Sequence, residues 1–245
     1  MRPTRTPRIK ICCIGSVDEA LLAIECGASA VGLVSEMPSG PGVISEERIA
    51  EIASRIPPPI GSFLLTSKQD VANIIAQHRR CRTNCIQLCD RLTKGSHRDL
   101  KAALPGISIV QVIHVTVSES IAEAVAVASS VDALLLDSGN QSLLVKELGG
   151  TGRTHNWALS RQIREHVDVP VFLAGGLSSS NVRQAIEDVG SFGLDLCSGV
   201  RTNGELDRVK LTSFFDTVRA AAHQQVPLDA FSPRQSPLTT SESPD

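Results

Sequence analysis

Tyrosine is missing from the 245-residue chain, tryptophan occurs once, and all aromatic residues together reach only 3%. Proteins that stack on bases or sugars depend on exposed rings, so no nucleic-acid partner is expected. The charge balance agrees. Lys and Arg number 24 against 26 Asp and Glu, a net charge of -2, without the basic excess that attracts nucleic acids or membrane surfaces. No apolar run approaches the roughly 20 residues of a transmembrane helix, so no membrane span is expected. The basic, acid-free start "MRPTRTPRIK" has the composition of a transit peptide. A core strand from Ile9 leaves such a segment no room. Seven cysteines, an odd number, sit mostly inside apolar runs. That fits reduced thiols in a cytoplasmic protein better than a disulfide framework.

What is present is a large apolar fraction, 42%, carried by Val, Ile, Leu and Ala. Such residues suit parallel strands buried on both faces. Apolar runs of strand length alternate with amphipathic helical patterns: "IKICCI" with "VDEALLAIEC", "AVGLVS" with "SEERIAEIASRI", and so on to "FGLDLCSGV" with "LDRVKLTSFFDTVRAAA". Eight such units predict an α/β fold, a closed parallel (β/α)8 barrel. The rival, an open doubly wound sheet, usually carries a GxGxxG turn after its first strand. Here that turn is "CIGSVD". Residues 1–8 are expected to be an N-terminal extension, 9–223 the barrel, and 224–245, rich in Pro, Ser and Thr, a disordered tail.

In a barrel of this kind chemistry belongs at the C-terminal strand ends. The first strand ends in Cys12-Cys13. Alternation along a strand sends Ile9, Ile11 and Cys13 outward and Lys10 and Cys12 inward. An ammonium beside Cys12 favours its thiolate, yet burial as a small hydrophobe explains the residue equally well. The sixth strand, "DALLLDS", ends in Asp137, a carboxylate that is costly at the end of an apolar strand unless solvated, paired or used. A long loop follows it, and such loops are usually functional. Glycine-rich "LGGTGRTHNW", "LAGGLSSSNV" and "LCSGVRTNG" follow the last three strands. Backbone N–H groups in such turns can hold an anion, which predicts a phosphate site at Gly150, Gly152, Gly175, Gly176, Ser198 and Gly199. Cys81, Cys85 and Cys89 do not have zinc spacing, so no metal is expected. Cys89 and Cys197 can reach the barrel mouth. His114 reads as a buried, hydrogen-bonded histidine, and Asp195 as the neutraliser of Lys10.

Taken in order, "KIC", "LLLDS", "GGTGRTHNW", "VFLAGGLSSSNVRQAI" and "GLDLCSGV" resemble the phosphoribosylanthranilate isomerase family of tryptophan biosynthesis, over about Ile9 to Ala222. The resemblance implies a cofactor-free (β/α)8 barrel, monomeric or homodimeric, whose partner is a phosphorylated sugar substrate. It implies an Amadori rearrangement of an aminoaldose phosphate to an aminoketose phosphate. Cys12 matches the family's general base, which takes the proton at sugar C2. Asp137 matches its general acid, which protonates the ring oxygen. Leu135 and Leu136 give that acid an apolar setting, which favours its protonated form. Cys13, on this reading, only packs.

The sequence also departs from the family pattern. Cys13 stands where the family has glycine. Gly42, in "SGPGVIS", stands where it has an arginine that binds the anthranilate carboxylate. "QLCD" replaces "QLHG", "HNW" replaces "FDW", and Arg201 is a new positive charge near the mouth. Arg201, Gln87 and Lys10 are therefore possible substrate contacts, with Arg201 offering a guanidinium from another direction. Two alternatives stay open beside the family reaction: a related isomerase of another phosphorylated aminosugar, and a non-catalytic phosphometabolite-binding barrel.

Overall fold

The computed structural model describes residues 6–224. Eight strands run parallel and close into a barrel in chain order: β1 (Arg8–Ile11), β2 (Ala30–Val34), β3 (Gly61–Thr66), β4 (Cys85–Leu88), β5 (Ser108–His114), β6 (Ala133–Asp137), β7 (Val171–Leu173) and β8 (Gly193–Leu196). β8 pairs back onto β1 with Lys10 opposite Asp195 and Ile11 opposite Leu196. The helices are α1 (Val17–Cys26), α2 (Glu46–Ala53), α3 (Val71–Cys81), α4 (His97–Ala103), α5 (Glu119–Ala128), α6 (Trp157–His166), α7 (Val182–Val189) and α8 (Arg208–Gln224). The (β/α)8 barrel read from the alternation is the fold of this chain. Among the described residues no helix is long and apolar enough to cross a membrane. The tail expected from 224 lies, beyond Gln224, outside the described residues.

Local chemistry sets the element ends. Ser16 caps α1 by accepting a hydrogen bond from the Glu19 amide at 3.1 Å, and Gly27 ends it. Ser45 does the same for α2 through the Arg48 amide at 3.2 Å. Ser96 and Asp99 form a reciprocal capping box on α4. One short element was not foreseen: a 3-10 turn at Ser198–Val200 leads into a two-stranded hairpin, β9 (Arg201–Thr202) with β10 (Glu205–Leu206).

The strands are buried on both faces, which splits the core in two. Ile11, Val31, Leu33, Leu64, Ile86, Leu134 and Leu136 meet the helices. Ala30, Val34, Phe63, Leu65, Val110, Val112, Ala133 and Leu135 fill the barrel. Phe172 stands edge-on between Phe63 and Phe192, with centroids 6.2 and 5.5 Å away. Into this apolar interior β1 sends Lys10, 0% exposed. Its Nζ lies 2.8 Å from Asp195 Oδ2 and 5.3 Å from the Phe63 ring centroid. Burial opposes its charge, but Asp195 outweighs it and raises the Lys10 pKa. Gly32 of β2 makes the space: a Cβ there would stand 2.9 Å from Lys10 Nζ and 2.8 Å from Cys12 Sγ.

Candidate active site

At the C-terminal end of the barrel lies an open cavity of about 700 Å³, including the space at its mouth. Cys12 and Asp137 both line it. They come from β1 and β6, separate members of the ring. Cys12 is 6% exposed and continues the inward face of Lys10. Asp137 is 8% exposed, and its Oδ1 accepts the Ser138 amide at 2.7 Å. Leu135 shares its interior face, whereas Leu136 packs outward against the helices. The long loop after β6 folds back over the carboxylate. Gly149 lies so close that a Cβ there would be 2.7 Å from Asp137 Oδ2.

Gln87 lines the same wall. Its Nε2 is 3.8 Å from Cys89 Sγ, while its Oε1 is buried without a hydrogen-bond partner in the protein. Burial pushes the Cys89 thiol upward. His155 is half-buried near Asp137, its Nε2 2.6 Å from Ser160 Oγ. Burial lowers its pKa to about 4 against the pull of Asp137, so its ring is neutral at neutral pH. His114 bonds the Cys89 carbonyl at 3.0 Å through Nε2 and does not line the cavity. Cys81 packs in the helix layer and Cys85 against the barrel interior. Among the described residues no group of three or more His, Cys, Asp or Glu could hold a metal.

Three sequence expectations need correction. Cys13 does not point outward. Its φ is +61, a left-handed conformation that breaks strand alternation and turns the thiol to the cavity wall. That is also why glycine suits this position, having no Cβ penalty there. Arg201 offers no guanidinium to the cavity. It pairs with Glu19 at 2.7 Å and donates to the carbonyls of Cys13 at 2.5 Å and Gly204 at 2.8 Å. Burial opposes the charge of Glu19, yet Arg201 and the Gly15 amide hold its pKa below the usual carboxylate range. The pair thus fastens the end of β1. Lys10 is enclosed with Asp195 and does not line the cavity.

Gly42 explains why the two departures in the sequence occur together. A Cβ on Gly42 would stand 2.5 Å from Cys13 Cβ and 2.9 Å from its Cα. The Cys13 side chain therefore occupies the space that a side chain at 42 needs. Gly42→Arg is expected to destabilise the barrel by more than the ~1–2 kcal/mol that a left-handed residue costs by itself, since φ at 42 is +79. Adding Cys13→Gly removes the contacts with Cys13 Cβ and Sγ but not the 2.9 Å approach to its Cα, so it should recover part of the loss, as thermal melts of the three variants would show. Equal melting points for Gly42→Arg and the double variant would refute the steric coupling.

Gly150, Gly152, Gly175, Gly176 and Ser198 line the cavity, whose lining contains no Lys or Arg among the described residues. The segments interlock closely. A Cβ on Gly176 would be 2.8 Å from the Thr154 amide nitrogen. Gly199 does not line the cavity but holds the shape of the loops, with an added Cβ only 2.0 Å from the Leu177 carbonyl oxygen. Gly199→Ala must push the β8 and β7 loops apart. If these loops form the phosphate site expected from the sequence, inorganic phosphate should raise the melting temperature of the unaltered protein and not that of Gly199→Ala; an equal rise in both would remove these loops from that site.

Two long-range contacts at the site carried no sequence signal. Ser39 Oγ donates to the Lys146 carbonyl at 2.7 Å, tying the loop after β2 to the loop after β6. Cys197 meets Cys13 across 184 positions of chain. Only the strand order brings these together.

Known proteins agree with this architecture. The family described as N-(5'-phosphoribosyl)anthranilate (PRA) isomerase matches residues 9–217. An N-(5'-phosphoribosyl)anthranilate isomerase of Methanosarcina acetivorans is 32% identical over 86% of this chain and 93% of its own. One of Haloferax volcanii is 35% identical over 80% and 86%. The crystal structure of phosphoribosyl anthranilate isomerase from Thermotoga maritima superposes with a TM-score of 0.72 at 26% identity, covering 87% of this chain and 99% of that one. Another, solved with reduced 1-(o-carboxyphenylamino)-1-deoxyribulose 5-phosphate, gives 0.70 at 25% identity over 87% and 99%.

Proposed function

The chain belongs to the N-(5'-phosphoribosyl)anthranilate isomerase family and is an aldose–ketose isomerase, and from that premise we propose that Cys12 and Asp137 are the base and acid of its reaction. The observation that carries this reading is their meeting in one cavity beside three glycine-rich loops. The substrate is N-(5-phosphoribosyl)anthranilate and the product its 1-deoxyribulose 5-phosphate isomer. Asp137 donates a proton to the furanose ring oxygen as the C1–O bond breaks and the nitrogen lone pair forms an iminium. Cys12 then takes the proton from C2, giving the enolamine, which tautomerises to the ketone. Placing acid and base on opposite sides of one sugar lets each hold its own protonation state.

The phosphate sits on backbone groups of Gly150, Gly152, Gly175, Gly176 and Ser198. The buried, unpartnered Gln87 Oε1 is suited to accept from a substrate hydroxyl. A small phosphorylated sugar is thus the partner of this site.

A second reading has its own observation. Gly42 and a lining without Lys or Arg leave the substrate carboxylate without a guanidinium, and glycine has no substitute for a bidentate contact. The enzyme would then act on another phosphorylated aminosugar. Loss of anthranilate-substrate fluorescence with the purified protein decides between them. Turnover supports the family substrate. No turnover, with a sugar phosphate still raising the melting temperature, supports the second reading.

A further inference from the structure

We infer that Cys13 and Cys197 form a dithiol modification site in the cavity wall, which a hydroperoxide converts to a disulfide that reversibly slows turnover. Their Sγ atoms lie 2.8 Å apart, and both are free thiols. They sit at the facing ends of neighbouring strands, just past the register pair Ile11 and Leu196. Neighbouring strands run about 4.8 Å apart, inside the Cα separation that a disulfide requires. Both side chains line the cavity, and Cys197 is only half-buried, so a small oxidant can reach them. The proposed isomerisation uses neither.

Cys197 is the group to react first. Its hydrogen bond with Cys13 and the nearby Arg201 guanidinium hold its pKa below the usual thiol range, and the thiolate is the nucleophile. Hydrogen bonds with Cys12 and Cys197, together with burial, push the Cys13 thiol up. The step balances. The Cys197 thiolate attacks hydrogen peroxide, breaking the O–O bond to give a sulfenic acid and hydroxide. Cys13 sulfur then attacks the sulfenic sulfur, the S–O bond breaks, and the Cys13 proton leaves with the oxygen as water. Two thiols are oxidised and one peroxide is reduced.

The new bond removes the Cys13 thiol from its contact with Cys12. It also ties β1 to the segment that carries Ser198 of the phosphate cradle. A displacement of about an ångström in such a site can cost on the order of a hundredfold in rate.

The test treats the reduced full-length protein with stoichiometric hydrogen peroxide. The expected product is lighter by two hydrogen atoms, with the peptides carrying Cys12-Cys13 and Cys197 joined. Turnover should fall by about ten- to a hundredfold, and dithiothreitol should restore both mass and rate. In Cys13→Ser and Cys197→Ser the joined peptides should vanish, as should the reversible part of the rate loss, read as oxidised over reduced rate within each variant. Four results would overturn the inference: no joined peptide, a joined peptide that survives in Cys13→Ser, oxygen added to Cys12 alone, or a disulfide without effect on rate. The mass readout needs no substrate, so its failure is separate from failure of the isomerase reading.

Discussion

Asp137→Asn is expected to lower kcat by about 10²–10⁴-fold, the span usual for loss of a positioned acid or base, while inorganic phosphate still raises the melting temperature. Asparagine keeps the oxygen that accepts the Ser138 amide at 2.7 Å, so the strand end stays in place and only the transferable proton is lost. Cys12→Ala should produce a drop of similar size. It removes one small side chain from the interior face above Lys10, beside Gly32. The two losses should not add, because each group serves a different proton of one reaction and the slower step governs the rate. Steady-state kinetics of the two single variants and the double variant check this. Retained turnover in either single variant would remove that residue from the proposed mechanism.

The second large effect concerns stability. Asp195→Leu leaves the Lys10 ammonium enclosed at 0% exposure without its counter-charge. Removing one partner of a buried ion pair costs about 3–5 kcal/mol. A domain has only about 5–15 kcal/mol in total, so the variant should unfold at much lower urea. Lys10→Met should be similarly damaging, leaving the Asp195 carboxylate alone. Burial itself already pushes Asp195 upward, against the opposing pull of Lys10. The combined Lys10→Met and Asp195→Leu variant should recover most of the loss, since an apolar pair of similar volume replaces both charges. Urea melts of all three variants decide it. A double variant no more stable than the singles would show that packing, not charge, is what Lys10 and Asp195 contribute.

These variants separate two jobs done on the same strands. Lys10 and Cys12 share the inward face of β1, yet one is enclosed with a partner and the other reaches the cavity. The strand therefore carries a structural charge one layer below a proposed catalytic thiol. Gly32 serves both by leaving a gap beside each.

By itself the sequence determined the barrel and its eight units. Burial on both faces demands unbroken apolar runs in the strands, and the helices between them show amphipathic periodicity; both are local patterns that a single chain displays. Cys12, Asp137 and the glycine-rich loops stood at strand ends for the same reason. Only the tertiary structure decided where Cys13 points, because one left-handed residue reverses the alternation on which the outward assignment rested. It alone decided that Arg201 is taken by Glu19, 182 positions away, and that Gly42 gives its space to Cys13. A charge's partner and a side chain's free volume are set by neighbours distant in the chain, and local periodicity carries no record of them.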